Sequence, residues 1–93
     1  MGLYYNHFLF QEIFEAIQNK EIEISNHKEE ILICKRNMMH IESRILHAQH
    51  TKEYIPTMVR IRMYLINRQR ITQELLDESL NSLSELRKRI LTC

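Results

Sequence analysis

From residue 3 to residue 50 the chain runs for forty-eight residues without a glycine or a proline, and one position in seven stays apolar from end to end. Leu3, Phe10, Ile17, Ile24, Ile31, Met38 and Ile45 occupy that column. Asn6, Ile13, Lys20, His27, Cys34, Ile41 and Ala48 stand three residues further on. An α-helix turns once in about 3.6 residues, so a spacing of seven returns to nearly the same face, and the column predicts one long helix with a buried seam.

The whole chain has one glycine and one proline in 93 residues, which leaves almost no turn chemistry for a β-sheet. A compact domain of this size buries only about 60 to 65% of the surface of its unfolded chain, and an elongated one buries less, so self-association or a partner is expected. A net charge of +1 does not by itself point to nucleic acid. Cys34 and Cys93 form neither a metal-binding pair nor a disulfide framework, which predicts a reducing, cytoplasmic setting. The start lacks the basic region and cleavage site of a signal peptide, and Asn6 stands where a myristoylation signal prefers serine or threonine. The apolar run over 3–17 contains Asn6, His7, Gln11, Glu12 and Glu15, too short and too polar for a transmembrane segment.

That same run holds ten apolar residues of fifteen and five of the seven aromatics, Tyr4, Tyr5, Phe8, Phe10 and Phe14. Only some of them fall on the seam. A helix apolar nearly all round needs a second surface to cover it, so these five residues are the candidate partner-binding segment. Residues 19–30 then turn polar, with Lys20 and His27 at seam positions, and Asn26 followed by Glu29 resembles a helix start. A break near residue 25 would make a three-helix bundle, whereas the unbroken phase of Ile24 and Ile31 favours one helix. Pro56 ends the run and suits the first turn of a new helix, giving a turn over 51–56 and a second helix over 57–91. There Met58, Ile61, Leu65, Leu76, Leu83 and Ile90 lie roughly on one face, with Leu75, Leu80 and Leu86 beside it and Arg68 and Thr72 interrupting the stripe.

A hairpin turning near residue 54 makes the charge pattern visible. Between Lys35 and Arg70 lie eight basic residues against Glu42 and Glu53, a net of +6, and the remainder carries −5. Lys35, Arg36, Arg44, Arg60, Arg62, Arg68 and Arg70 thus form a candidate basic tip, fitted to an acidic protein surface. The arginines wrap the rod instead of lining one stripe, which disfavours nucleic acid. His40, His47 and His50 share this half; two of them could hold zinc, but no cysteine or carboxylate beside them completes a ligand set. No phosphate-binding loop, nucleophile elbow, zinc-protease signature or Glu-x-x-His pair occurs, so no catalysis, cofactor or metal site is expected.

The expected fold is therefore a single all-α domain spanning 1–93, an antiparallel helical hairpin with a coiled-coil seam. The alternatives are the three-helix bundle and a kinked long helix in a parallel dimer. In architecture alone such a hairpin is similar to the stalk and needle-chaperone coiled coils of bacterial secretion systems, although no motif carries a family assignment. The function that follows is binding, by a scaffold, adaptor or small chaperone with a protein partner or a homo-oligomer. A dimeric nucleic-acid-binding protein using the arginines over 60–70 is the alternative.

Overall fold

In a computed structural model the chain forms two helices, α1 (Gly2–Thr51, 50 residues) and α2 (Ile55–Thr92, 38 residues). The structure describes residues 2–51 and 55–92, and the side chains of residues 9–48 and 55–92. The turn residues 52–54 lie outside this description.

Helix α1 runs without interruption through residues 19–30, so the third helix of a bundle does not form. Ile24 and Ile31 are both buried and carry the seam through the polar stretch. Lys20 is tolerated at a seam position because it stays partly exposed and lies 2.8 Å from the Glu23 carboxylate, whereas His27 holds a buried Nε2 3.8 Å from that carboxylate, without a hydrogen bond. Helix α2 starts at Ile55, two residues earlier than the proline suggested. Pro56 thereby sits in the first turn, where its missing N–H would have no intrahelical partner in any case.

The helices fold back on one another as an antiparallel pair. Three ion pairs record the register: Arg62 to Glu42 at 3.3 Å, Arg68 Nε to Glu30 at 2.7 Å, and Arg87 to Glu21 at 3.4 Å. Residue numbers rise along one helix as they fall along the other, which excludes a single kinked helix. The product is a rod of 75 × 15 × 14 Å. Its length is that of α1 alone, since fifty residues rise by about 75 Å.

Two apolar clusters fill the seam. Ile17, Ile24, Ile31, Leu76 and Leu83 form one, with Ile13, Leu86 and Ile90 against it. Nearer the turn, Ile41, Ala48, Met58 and Leu65 form the other, joined by Met38, Ile45 and Ile55. Between them lie Cys34 and Thr72, both buried but small or polar.

On α2 the buried residues follow a strict seven, Met58, Leu65, Thr72 and Ser79, with Leu76 and Leu83 alongside. This corrects the sequence reading. Thr72 is no interruption but the largest fully buried side chain of the seam at 1% exposure, whereas Ile61, Leu75 and Leu80 are all exposed. The reason is local satisfaction of the hydroxyl: Thr72 Oγ1 donates to the Arg68 carbonyl oxygen at 2.9 Å, so its polar atom needs no water. Replacing Thr72 with valine keeps the volume and removes that donor. We expect a stability change within about 1 kcal/mol in urea unfolding, against a much larger loss for Thr72→Asp.

Candidate interaction surfaces

At the open end of the rod, Phe10 and Phe14 stack one helical turn apart, ring centroids 6.4 Å apart and planes at 16°. Both remain about half exposed, although Phe10 belongs to the seam column, because α2 ends at Thr92 and leaves little to cover it. An open groove of about 380 Å³ runs beside them between Leu9, Glu12, Ile13 and Ala16 of α1 and Leu86, Arg89 and Thr92 of α2. The groove lies where α2 runs out along α1. Tyr4, Tyr5 and Phe8 belong to α1, and their side chains lie outside the described residues.

The basic end divides into two groups. Arg62, Arg68 and Arg70 are tied to carboxylates: Arg62 to Glu42, Arg68 to Glu30, and Arg70 to Glu74 at 2.8 Å, with Asn67 accepting a further bond at 3.0 Å. The hydrogen bond and charge of Glu30 also push the Arg68 guanidinium pKa above its ordinary value, so its positive charge is kept under all working conditions. Lys35, Arg36, Arg44 and Arg60 make no ion pair among the described residues and are exposed. Their positions in the heptad place them on different sides of the rod. Sequence reasoning had grouped all seven; the structure leaves four cations available, distributed around the shaft.

His40 and His47 lie on one exposed face of α1, seven residues apart, while the side chain of His50 lies outside the described residues. Among the described residues, no group of three His, Cys, Asp or Glu side chains converges closely enough to hold a metal ion.

A polar cluster sits midway along α1. Glu23 accepts from Lys20, lies near His27, and receives a further hydrogen bond from Ser79 of α2. The Lys20 hydrogen bond is the largest influence and holds the Glu23 carboxyl below its usual 4.5, outweighing the opposing effect of desolvation. The sign follows directly. A carboxyl whose folded pKa is depressed favours the folded state above pH 4.5, and this contribution is lost as pH falls through the lowered value. Glu23→Gln is therefore expected to flatten the acid limb of a stability profile measured in urea between pH 3 and pH 7.

A further exposed apolar face lies on the turn half of the rod. Leu32, Met39 and Leu46 are 60, 72 and 63% exposed and fall seven residues apart, one position past the buried column. Val59, Met63 and Ile66 of α2 are exposed on the same side of the hairpin. The register set by Glu42 with Arg62 brings Leu46 level with Val59, and Met39 level with Ile66. Two open grooves mark this face, one of about 290 Å³ bounded by Glu42, Ile45, Leu46 and Arg62, the other of about 440 Å³ bounded in part by Met38, Ile66 and Gln69.

No family model, curated protein or solved structure matches this chain. What it does must be read from its surfaces. Among the described residues no helix is long and apolar enough to cross a membrane.

Proposed function

We propose that the chain is a non-enzymatic protein–protein interaction module, a coiled-coil hairpin acting as a scaffold, adaptor or small chaperone. Its aromatic N-terminal segment holds one partner and its basic tip engages an acidic surface. The observation that carries this reading is the balance of apolar side chains. Among the described residues sixteen large apolar side chains are exposed, against ten apolar residues buried in the core. A rod with more large apolar side chains exposed than buried is built to be covered.

The heptad spacing of the buried columns on both helices, with ion pairs flanking them, supports the coiled-coil description of the seam. A place in a secretion-type assembly, of the kind that stalk and needle-chaperone hairpins occupy, is part of the same proposal. A cytoplasmic, reducing setting agrees with the buried free thiol of Cys34.

Deleting residues 1–15 tests the role of the aromatic segment. The shortened chain should keep its helical circular dichroism and its thermal transition, because the deletion reaches only Ile13 at the margin of the first cluster. It should lose its cross-links to partner proteins in cells. A deletion that unfolds the remainder would show that the aromatics are core.

The four cations of the basic end that make no ion pair among the described residues favour a second reading, binding of nucleic acid by the tip. A salt titration separates the two: phosphate neutralisation lowers log K by about 0.9 per contact for each decade of salt, and no binding at low salt removes this reading.

A further inference from the structure

We propose that the exposed face formed by Leu32, Met39 and Leu46 of α1 with Val59, Met63 and Ile66 of α2 is a self-association site, joining two hairpins antiparallel into a four-helix bundle about a two-fold axis at Met39. This goes beyond the partner-capture reading and does not depend on it, since it uses the turn half of the rod and leaves the aromatic end free.

Four observations identify a second copy as the occupant. The first is internal symmetry. Leu32 and Leu46 stand seven residues either side of Met39, and Met39 is level with Ile66. A two-fold axis lying across both helices there sets Met39 on Met39, Ile66 on Ile66, and each Leu32 on the other copy's Leu46. An isologous contact requires a patch that maps onto itself in this way.

The second is charge. Lys35 and Glu42 lie on the same face, four residues before and three after Met39. The same axis opposes each Lys35, which has no ion pair among the described residues, to the exposed Glu42 of the other copy, whose carboxylate also accepts from Arg62 of its own α2. Stacking the hairpins with both turns at one end would instead lay one positively charged half directly over the other. The antiparallel arrangement carries each turn toward the stretch of its counterpart that holds Glu29, Glu30, Glu74, Asp77 and Glu78.

The third is shape. The two open grooves lie on this face at levels that the axis interchanges, so Leu46 of one copy meets the groove beside Gln73 in the other. The fourth is area. An overlap from the turn back to about residue 27 spans about 36 Å, and across two helices it covers about 700 Å² per copy, or about 1,400 Å² in all, within the range of stable interfaces.

The test uses the full-length chain with Cys93 replaced by serine, leaving the buried Cys34 in place. The chain has a mass of 11.4 kDa, and light scattering should return twice that. Under mild oxidation Met39→Cys should form a disulfide-linked dimer in high yield. Leu46→Cys should not, because the two Leu46 positions stand about 21 Å apart along the bundle. Met39→Glu should give a monomer of unchanged helicity. Lys35→Glu should weaken dimerisation about tenfold, and adding Glu42→Lys to it should restore it, an exchange that a non-specific apolar contact would not show. A monomeric mass for the unmodified chain, a trimer, cross-linking at residue 46 in preference to 39, or no rescue by the double charge reversal would each overturn the proposal.

Discussion

Leu76→Ala is expected to cost about 2 to 5 kcal/mol of unfolding free energy, whereas Leu75→Ala, one residue earlier, is expected to change it by no more than about 0.5 kcal/mol. Leu76 is 7% exposed and packs among Ile24, Ile31 and Leu83; Leu75 is 42% exposed and faces outward. Truncating Leu76 removes transfer energy and leaves a cavity in a core that is only two helices wide. Little can relax into the gap without the helices closing along the shaft. Urea unfolding at one fixed protein concentration compares the two variants. Equal losses would mean that α2 is rotated from the register described here.

The second large effect is at the turn. Ala48 is fully enclosed among Ile41, Met58 and Leu65, and its single methyl group sets how closely α1 and α2 approach as the chain reverses. Ala48→Leu inserts volume where none is free and should cost about 1 to 3 kcal/mol. The damage should be local. Amide exchange should accelerate over 41–48 and 55–65 while the cluster of Ile17, Ile24 and Ile31 keeps its protection, since the two clusters are separated by Cys34 and Thr72. Uniform acceleration over the whole rod would show one cooperative core instead.

These two sites also show how legible the fold was. The buried column of α1 could be read directly, because a long segment free of glycine and proline gives a spacing of seven only one helical interpretation. Ile17, Ile24 and Ile31 are buried where that spacing put them. The phase of α2 was harder. Its apolar residues lie on several faces, so Ile61 was placed on one face with Met58 and Leu65, although it is exposed and they are buried. The deciding residues, Thr72 and Ser79, are polar ones that hydropathy assigns to the surface. Threonine is buried there because the carbonyl one turn back accepts its proton, a contact that no hydropathy pattern reports.

The candidate surfaces were legible to different degrees. Phe10 and Phe14 are half exposed, although Phe10 stands in the seam column. The basic tip was recognised as a charge total, but three of its arginines turn out to be engaged with Glu42, Glu30 and Glu74. Only the antiparallel register reveals two of these partners, because Glu42 and Glu30 are far from Arg62 and Arg68 in sequence. The face of Leu32, Met39 and Leu46 also recurs every seven residues. It passed unnoticed because its meaning depends on Val59 and Ile66 arriving level with it from the other helix.

Antiparallel reversal of the chain is the claim on which every surface depends, and a distance between two spin labels tests it most directly. Asn26 and Glu78 are exposed, lie on the same side of the hairpin, and stand fifty-two residues apart in sequence. With both replaced by labelled cysteines, Cys93 by serine, and an excess of unlabelled chain to suppress contacts between copies, pulsed dipolar spectroscopy reads the distance within one molecule. Packed helices lie about 8 to 10 Å apart, so the labels should be separated by about 10 to 25 Å. A straight or gently kinked helix would hold them about 50 to 78 Å apart, and a distance in that range would contradict the hairpin.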